Sequence, residues 1–175
     1  MSSEQPPRGA PFVDAAATTS PADDERFVRE ALAAAREAIA HGDVPIGAVV
    51  VRDGQVIARA HNRREVDADP VGHAELIALR EAAKKLGRWR LSDCALYVTI
   101  EPCAMCAGAA VLARVAAVVF AAPDERAGAV RSVAELLDAP WVNHRPRWRL
   151  HAPGRAEAER LIVDFFASQR AAERD

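Results

Sequence analysis

Two short motifs contain the residues whose types and spacing could do chemistry. The first is His73-Ala74-Glu75, at the start of one predicted helix, and the second contains Cys103 and Cys106, at the start of another. Cysteines at positions i and i+3 share a face of the first helical turn, where both thiolates can bind one ion and the helix N-terminus favours their negative charge. One nitrogen and two sulfur ligands suit zinc, and three protein ligands leave the fourth tetrahedral position open, as in catalytic sites.

Glu75 is expected to have a different role from His73. Residues two positions apart do not share one narrow helix face, so both cannot be ligands, although both can line a cavity at the start of a helix. Glu75 would then lie beside the open position and take a proton from water there. The sequence therefore predicts one zinc ion per chain, bound by His73, Cys103 and Cys106, with Glu75 as the catalytic proton shuttle.

The alternatives for these motifs are a redox pair or a structural zinc site, because an isolated Cys-x-x-Cys is more often one of these. A structural site would require a further cysteine or histidine pair. The third and last cysteine, Cys94, stands alone and is expected to be a small buried hydrophobic residue. A thioredoxin-like pair does not call for His-Ala-Glu in an earlier helix, so the two motifs together favour catalytic zinc.

The composition indicates one domain. The chain has 175 residues, half of them apolar, which is enough for one sizeable core. We find no apolar run of about 18 residues and no signal-peptide pattern at the start, and so expect a soluble cytoplasmic protein without membrane contact. The formal net charge of −2 excludes a strongly basic field over the whole molecule.

Two segments, 84–90 and 141–151, nevertheless combine basic and aromatic side chains, which is a weak indication of nucleic-acid binding. The second has three arginines around Trp148: Arg145, Arg147 and Arg149. A solvated charged face is the simpler alternative for both segments.

The apolar pattern predicts the elements that position the motifs. Residues 1–22 lack apolar periodicity and are expected to be a disordered tail, which leaves 23–172 as the catalytic domain. A helix capped by Asp23 or Asp24 should follow and end at Gly42. The further predicted elements are a hairpin of strands 44–51 and 55–61 around Asp53-Gly54, helix 73–86, strand 95–100, helix 103–115, strands 116–121 and 147–151, and helix 157–170. This order predicts an α/β fold, a three-layer α/β/α sandwich around a mixed sheet of about five strands.

The motifs resemble those of the cytidine deaminase-like superfamily, and more closely those of bacterial tRNA adenosine deaminases. The resemblance extends from about residue 25 to 168. It includes the segments 44–48, 61–63, 96–99, 106–109, 119–120, 143–145 and 164–166.

This resemblance implies a zinc-dependent hydrolase that converts adenosine to inosine at the wobble position of the tRNA anticodon loop, and a homodimer. It also implies that Asn62 hydrogen-bonds the flipped base and that Asp124 lies near the backbone or sugar of the target nucleotide. The alternatives are that Asn62 merely ends a strand and that Asp124 forms a turn after Pro123.

Three features depart from the family pattern: Val71-Gly72 precedes His73, Arg131 replaces a glycine, and segment 171–175 lacks the usual basic excess. They leave room for a free nucleobase deaminase acting on guanine or cytosine. A binding module in which zinc only joins two helices is a further alternative. Glu75 argues against that module, because a structural site has no use for a carboxylate at the open position.

Overall fold

The computed structural model describes residues 20–172. Its helices and strands in chain order are α1 (Pro21–Ala40), β1 (Gly47–Arg52), β2 (Gln55–His61), α2 (Ala74–Leu86), β3 (Cys94–Ile100), α3 (Ala104–Leu112), β4 (Ala117–Ala122), β5 (Arg147–Leu150) and α4 (Arg155–Ala172). Short 3₁₀ turns occur at Leu136–Asp138 and Ala152–Gly154. Every predicted helix and strand is present, with ends that differ by a few residues.

The five strands form one mixed sheet in the order β2-β1-β3-β4-β5. Strand β1 is antiparallel to β2 and β3, whereas β3, β4 and β5 run parallel. The β1–β2 hairpin turns at Asp53 and Gly54, both of which have positive φ (50° and 70°), as the predicted Asp-Gly turn requires. The prediction of a mixed five-stranded sheet is thus confirmed.

Helices cover both faces of the sheet. Helices α1 and α4 pack on one face, where Val49 and Val51 join Phe27 in a buried cluster. Helices α2 and α3 pack on the other face, against Ala48 and Val50. Successive side chains of a strand point to opposite faces, so a strand buried on both sides has the continuous apolar sequence seen in β1. The three-layer α/β/α architecture is confirmed.

Helix α1 begins earlier than expected. Ser20 is its N-cap, and the carboxylate of Asp23 accepts hydrogen bonds from the Ser20 N–H (3.0 Å) and hydroxyl (2.8 Å). The prediction that Asp23 or Asp24 caps this helix is therefore wrong, because Asp23 occupies the third helical position of a capping box. Residues 1–19 of the predicted tail lie outside the described residues.

Asp24 instead joins three elements across one face of the sheet. Its carboxylate is 2% exposed and accepts two hydrogen bonds from the Arg149 guanidinium, at 2.5 and 2.6 Å, and one from the Tyr97 hydroxyl at 2.8 Å. Arg149 therefore belongs to the interior ion pair between α1 and β5. The ring of Trp148 stacks on Phe120 with centroids 6.1 Å apart.

These contacts show that Arg145, Arg147 and Arg149 do not form a continuous RNA-binding surface around Trp148. The prediction of such a patch is therefore wrong. Alternating positions of a strand face opposite sides, and here the guanidinium of Arg149 and the ring of Trp148 pack inward against different layers.

Replacing Arg149 with methionine should therefore destabilise the fold, because it leaves the buried Asp24 carboxylate without its cation. Removing one partner of such a pair costs about 3–5 kcal/mol. We expect the loss of stability to lie at the lower end of this range, since the Arg149 side chain is 30% exposed. Arg147→Met, at an exposed position of the same strand, should change the free energy of unfolding by less than about 0.5 kcal/mol. Equilibrium urea unfolding measures both, and equal effects would contradict the assignment.

Candidate active site

The N-termini of helices α2 and α3 converge on one point, on the face of the sheet that these helices cover. His73 is the N-cap of α2 and Cys103 is the N-cap of α3, and Cys106 follows in the first turn of α3. The Nδ1 atom of His73 lies 3.7 Å from Sγ of Cys103 and 3.5 Å from Sγ of Cys106. The ligand atoms of all three residues lie within 4.8 Å of one another. Residues from two separate motifs are therefore brought together as the sequence predicted.

These distances fit a tetrahedral zinc ion. Zinc–sulfur bonds of about 2.3 Å and zinc–nitrogen bonds of about 2.0–2.1 Å, at a tetrahedral angle, place sulfur and nitrogen roughly 3.5 Å apart. Within residues 20–172, this is the one group of three or more histidine, cysteine or acidic side chains whose spacing could hold a metal ion. The donor set of one imidazole and two thiols therefore matches zinc in both chemistry and spacing.

The proton equilibria at these thiols favour one thiolate. The pKa of Cys103 is lowered to about 3, first by the hydrogen bond from the Cys106 thiol, and also by His73. The pKa of Cys106 is raised, because this thiol is the donor to Cys103 and because it is buried. A thiol must lose its proton to bind a metal, so the site already favours the ligand form of Cys103.

Glu75 lies in the first turn of α2, and its side chain points into the interior beside the three candidate ligands. Its side chain is only 4% exposed, and burial raises the pKa of its carboxyl group to about 7. The Oε2 atom is buried and has no hydrogen-bond partner among the described residues. A buried carboxylate oxygen without a partner is costly, so it indicates a place for a polar molecule that donates a hydrogen bond to Glu75.

Asn62 lies between β2 and α2. It is 2% exposed, and its side-chain carbonyl oxygen accepts a hydrogen bond from the N–H of Ala74 at 3.0 Å. Because only the oxygen can accept, this bond fixes the orientation of the amide. No hydrogen bond within residues 20–172 occupies the side-chain NH₂ of Asn62, which is consequently available to a ligand.

Asp124 begins the loop after β4. One oxygen of its carboxylate accepts hydrogen bonds from the N–H groups of Arg126 and Ala127, at 2.9 and 3.2 Å. Asp124 therefore forms a turn after Pro123, which is the alternative that the sequence analysis gives to a contact with the nucleotide. The proximity of Asp124 to a nucleotide stays a prediction.

Two buried carboxylates that fix the loops around the site are not predicted from the sequence. Asp43 is fully buried and accepts hydrogen bonds at 3.0–3.1 Å from three consecutive N–H groups of the loop after Asn62. Glu101 is 3% exposed and holds the loop that begins at Pro123. Burial raises the pKa of Glu101, but hydrogen bonds from Ser132 and from backbone N–H groups outweigh it, so that this pKa lies below its ordinary value.

The signal for both was an acidic residue beside an apolar segment, Asp43 before β1 and Glu101 directly after β3. Their partners lie 21–31 positions away, however, and no local pattern identifies them.

Other predicted features have structural explanations. Cys94 is fully buried in the core, as expected, and burial raises the pKa of its thiol to about 12. In segment 84–90, Arg88 pairs with Asp93, and the Arg90 guanidinium lies 4.6 Å from the centroid of the Trp89 ring. None of the helices described here has the length and apolar character needed to cross a membrane.

Comparison with known proteins agrees with this geometry. Residues 22–170 match the family described as MafB19-like deaminase. The chain is 43% identical over 146 residues to a tRNA-specific adenosine deaminase of Aquifex aeolicus, covering 83% of this chain and 95% of the relative.

Two solved structures have a similar fold. A structure described as one of tRNA:A34 deaminases that edit A to I at the wobble position matches with a TM-score of 0.75 and 39% identity, over 78% of this chain and 99% of the other. A guanine deaminase from Bacillus subtilis matches with a TM-score of 0.55 and 45% identity, over 57% of this chain and 64% of the other. This chain is therefore a hydrolytic deaminase of the MafB19-like family and a homologue of the bacterial tRNA-specific adenosine deaminases.

Proposed function

We propose that this protein is a zinc-dependent deaminase that converts adenosine to inosine at the wobble position of a tRNA anticodon loop. The observation that carries the chemistry is the buried Glu75 carboxylate, with its unpartnered oxygen, beside the His73-Cys103-Cys106 group. The substrate is supported by the relatives, which are named for adenosine deamination in tRNA. We also propose the cytoplasm as the location, since that compartment contains the tRNA.

His73, Cys103 and Cys106 would hold one zinc ion per chain. When bound, zinc supplies a nucleophile near neutral pH by lowering the pKa of water. Three protein ligands leave a coordination position free, which suits a catalytic site better than a structural one.

Glu75 would carry the proton in this reaction. As a carboxylate inside the site, it takes a proton from the attacking water and delivers it to the ring nitrogen of the base. It then takes the remaining proton from the added hydroxyl group and passes it to the exocyclic amine. The bond between the ring carbon and this amine breaks, ammonia leaves, and the ring carbon keeps the oxygen as a carbonyl. The products are inosine and ammonia. General acid–base catalysis of this kind contributes about 10²- to 10⁴-fold to the rate.

Asn62 would orient the base. Its oxygen is fixed on the N–H of Ala74 at the start of α2, so its NH₂ keeps a constant position relative to His73 and Glu75. Buried amide donors discriminate among bases because an unpaired polar group is costly. Asp124, on the loop after β4, would lie near the sugar or backbone of the same nucleotide.

We further propose a homodimer that forms through an apolar groove between α2 and α3. The groove has a volume of about 400 Å³, and its lining includes Leu76, Leu79, Trp89 and Leu112. Trp89 is 57% exposed and Leu112 is 71% exposed. Apolar side chains exposed together in a groove favour a protein–protein contact, and a second copy of the chain offers the same surface for an isologous pair.

The metal assignment predicts about one zinc per purified chain. Cys103→Ser and Cys106→Ser should each lose most of it, because a tetrahedral site depends on every thiolate. Cys94→Ala, which removes the core cysteine, should retain full zinc. Elemental analysis by mass spectrometry measures all four proteins, and full zinc in both serine variants would refute the assignment.

The role of Glu75 predicts that Glu75→Gln keeps zinc and fold but loses deamination by about 10²- to 10⁴-fold, because the amide cannot exchange the proton. Inosine in a tRNA transcript and zinc content are measured on the same samples. Loss of zinc from this variant would instead make Glu75 a ligand.

The parent protein should form inosine in tRNA and act poorly on free guanine and cytosine. If the protein instead deaminates a free base readily and does not react with tRNA, it is a nucleobase deaminase. That is the alternative favoured by the similarity to the guanine deaminase structure.

The dimer proposal predicts that Leu112→Glu produces a monomer, because it introduces a charge into the groove. Val163→Glu, a matched control on α4 at the opposite layer and 62% exposed, should leave the mass unchanged. Sedimentation equilibrium measures both variants. A parent protein that is already monomeric at micromolar concentration would overturn the proposal.

A further inference from the structure

Glu101 is a buried carboxylate whose two oxygens are both used by one loop. It directly follows β3 and lies two positions before Cys103. Its Oε1 atom accepts hydrogen bonds from three consecutive N–H groups, those of Val130 (3.1 Å), Arg131 (2.7 Å) and Ser132 (3.0 Å). Its Oε2 atom accepts from the N–H of Asp124 at 3.1 Å and from the hydroxyl of Ser132. One side chain thus joins both ends of the segment 124–132.

The Glu101 carboxylate has no ion-pair partner among residues 20–172. Its negative charge is balanced by N–H dipoles that point towards it. Backbone turns bind anions with the same arrangement of N–H groups. Hydrogen bonds to a charged acceptor are stronger than those between neutral groups, so five of them constrain the loop tightly.

The loop also packs closely on this carboxylate. A side chain at Gly128 would bring its Cβ to 2.5 Å from Cδ and Oε2 of Glu101 and to 2.6 Å from the carbonyl oxygen of Asp124. Real Cβ atoms do not approach so closely, and two of these three atoms belong to a held carboxylate. Glycine at position 128 is therefore required for the loop to close over Glu101.

The same loop contacts the segment that presents Cys103. Gly128 forms an antiparallel bridge with Cys103, and the N–H of Ala129 donates to the carbonyl oxygen of Pro102 at 2.8 Å. Residues 101–103 are thus joined to the loop by the Glu101 side chain and by their own backbone. The loop with Asp124 consequently borders the His73-Cys103-Cys106 group.

We propose that Glu101 is a positioning residue for deamination, which fixes loop 124–132 against Cys103 so that this wall of the active site has one shape when substrate binds. The inference rests on the proposed function for its kinetic consequences but not for its structural ones. Glu101 touches neither the substrate nor the reacting atoms. It acts through Asp124 and through the backbone around Gly128.

Three variants disturb this contact in different ways. Glu101→Gln replaces one acceptor oxygen by an NH₂ group that faces N–H donors. Gly128→Ala pushes the loop away and leaves the carboxylate intact, and Ser132→Ala removes one hydrogen bond. Glu101→Gln and Gly128→Ala should lower kcat/KM on tRNA by roughly 10- to 100-fold, because a displacement of about 1 Å in an element that positions the substrate can cost about 10²-fold. Ser132→Ala should have a smaller effect.

The loss should appear mainly as a raised KM with zinc retained, because the first turns of α2 and α3 still present the three proposed ligands when the loop is displaced. Hydrogen exchange of the amides of Asp124, Val130, Arg131 and Ser132 should accelerate in Glu101→Gln. Asp24→Asn is the matched control, since it also converts a buried carboxylate to an amide but lies on the opposite face of the sheet. It should reduce stability without changing KM or loop exchange.

Three results would overturn the inference: unchanged exchange of the loop amides in Glu101→Gln, kinetic constants equal to those of the parent, or a kinetic loss matched by Asp24→Asn. Ser132→Ala and Gly128→Ala keep the test decisive if Glu101→Gln does not fold. A parent protein inactive on tRNA contradicts the proposed function instead, and the exchange measurement still tests the positioning role.

Discussion

The convergence of two helix N-termini is the constraint on which the rest of the structure depends. His73 and Cys103 are the N-caps of α2 and α3, and their side chains meet within 3.7 Å. An N-cap has extended backbone, so its side chain projects ahead of the helix and not along its flank. Two such residues can therefore face one another only if both helices start at the same place. The partial positive charge of a helix N-terminus also favours thiolate there.

The mixed sheet makes this meeting possible. Helix α3 follows the carboxyl end of β3, which lies at the centre of the sheet between β1 and β4. Helix α2 follows β2, the hairpin partner of β1, and packs on the same face of the sheet as α3. Asp43 and Glu101 then fix the two irregular segments that surround the helix starts, each by accepting hydrogen bonds from consecutive N–H groups. Buried acids are costly unless every oxygen is satisfied, and here the loops provide that satisfaction.

Local patterns were sufficient to predict the elements and the chemical group. The hairpin around Asp53-Gly54, the end of α2 at residue 86 and the three-layer order all follow from residue periodicity and turn chemistry, and all are present. The errors at Arg149 and Glu101 have a common cause, namely contacts between residues far apart in the chain. The sequence places Arg149 in a surface patch because nothing nearby in the chain points to its partner Asp24, which lies 125 positions away. No local pattern identifies Glu101, because its donors lie 23–31 positions away.

X-ray absorption at the zinc edge of the metal-loaded protein tests the central proposal most directly, because it reports the ligand atoms themselves. We expect two sulfur atoms at about 2.3 Å and two nitrogen or oxygen atoms at about 2.0–2.1 Å, one from His73 and one from the open position. The Glu75→Gln protein should give the same spectrum. A coordination shell with three or four sulfur atoms, or one that changes when Glu75 is replaced, would contradict the account.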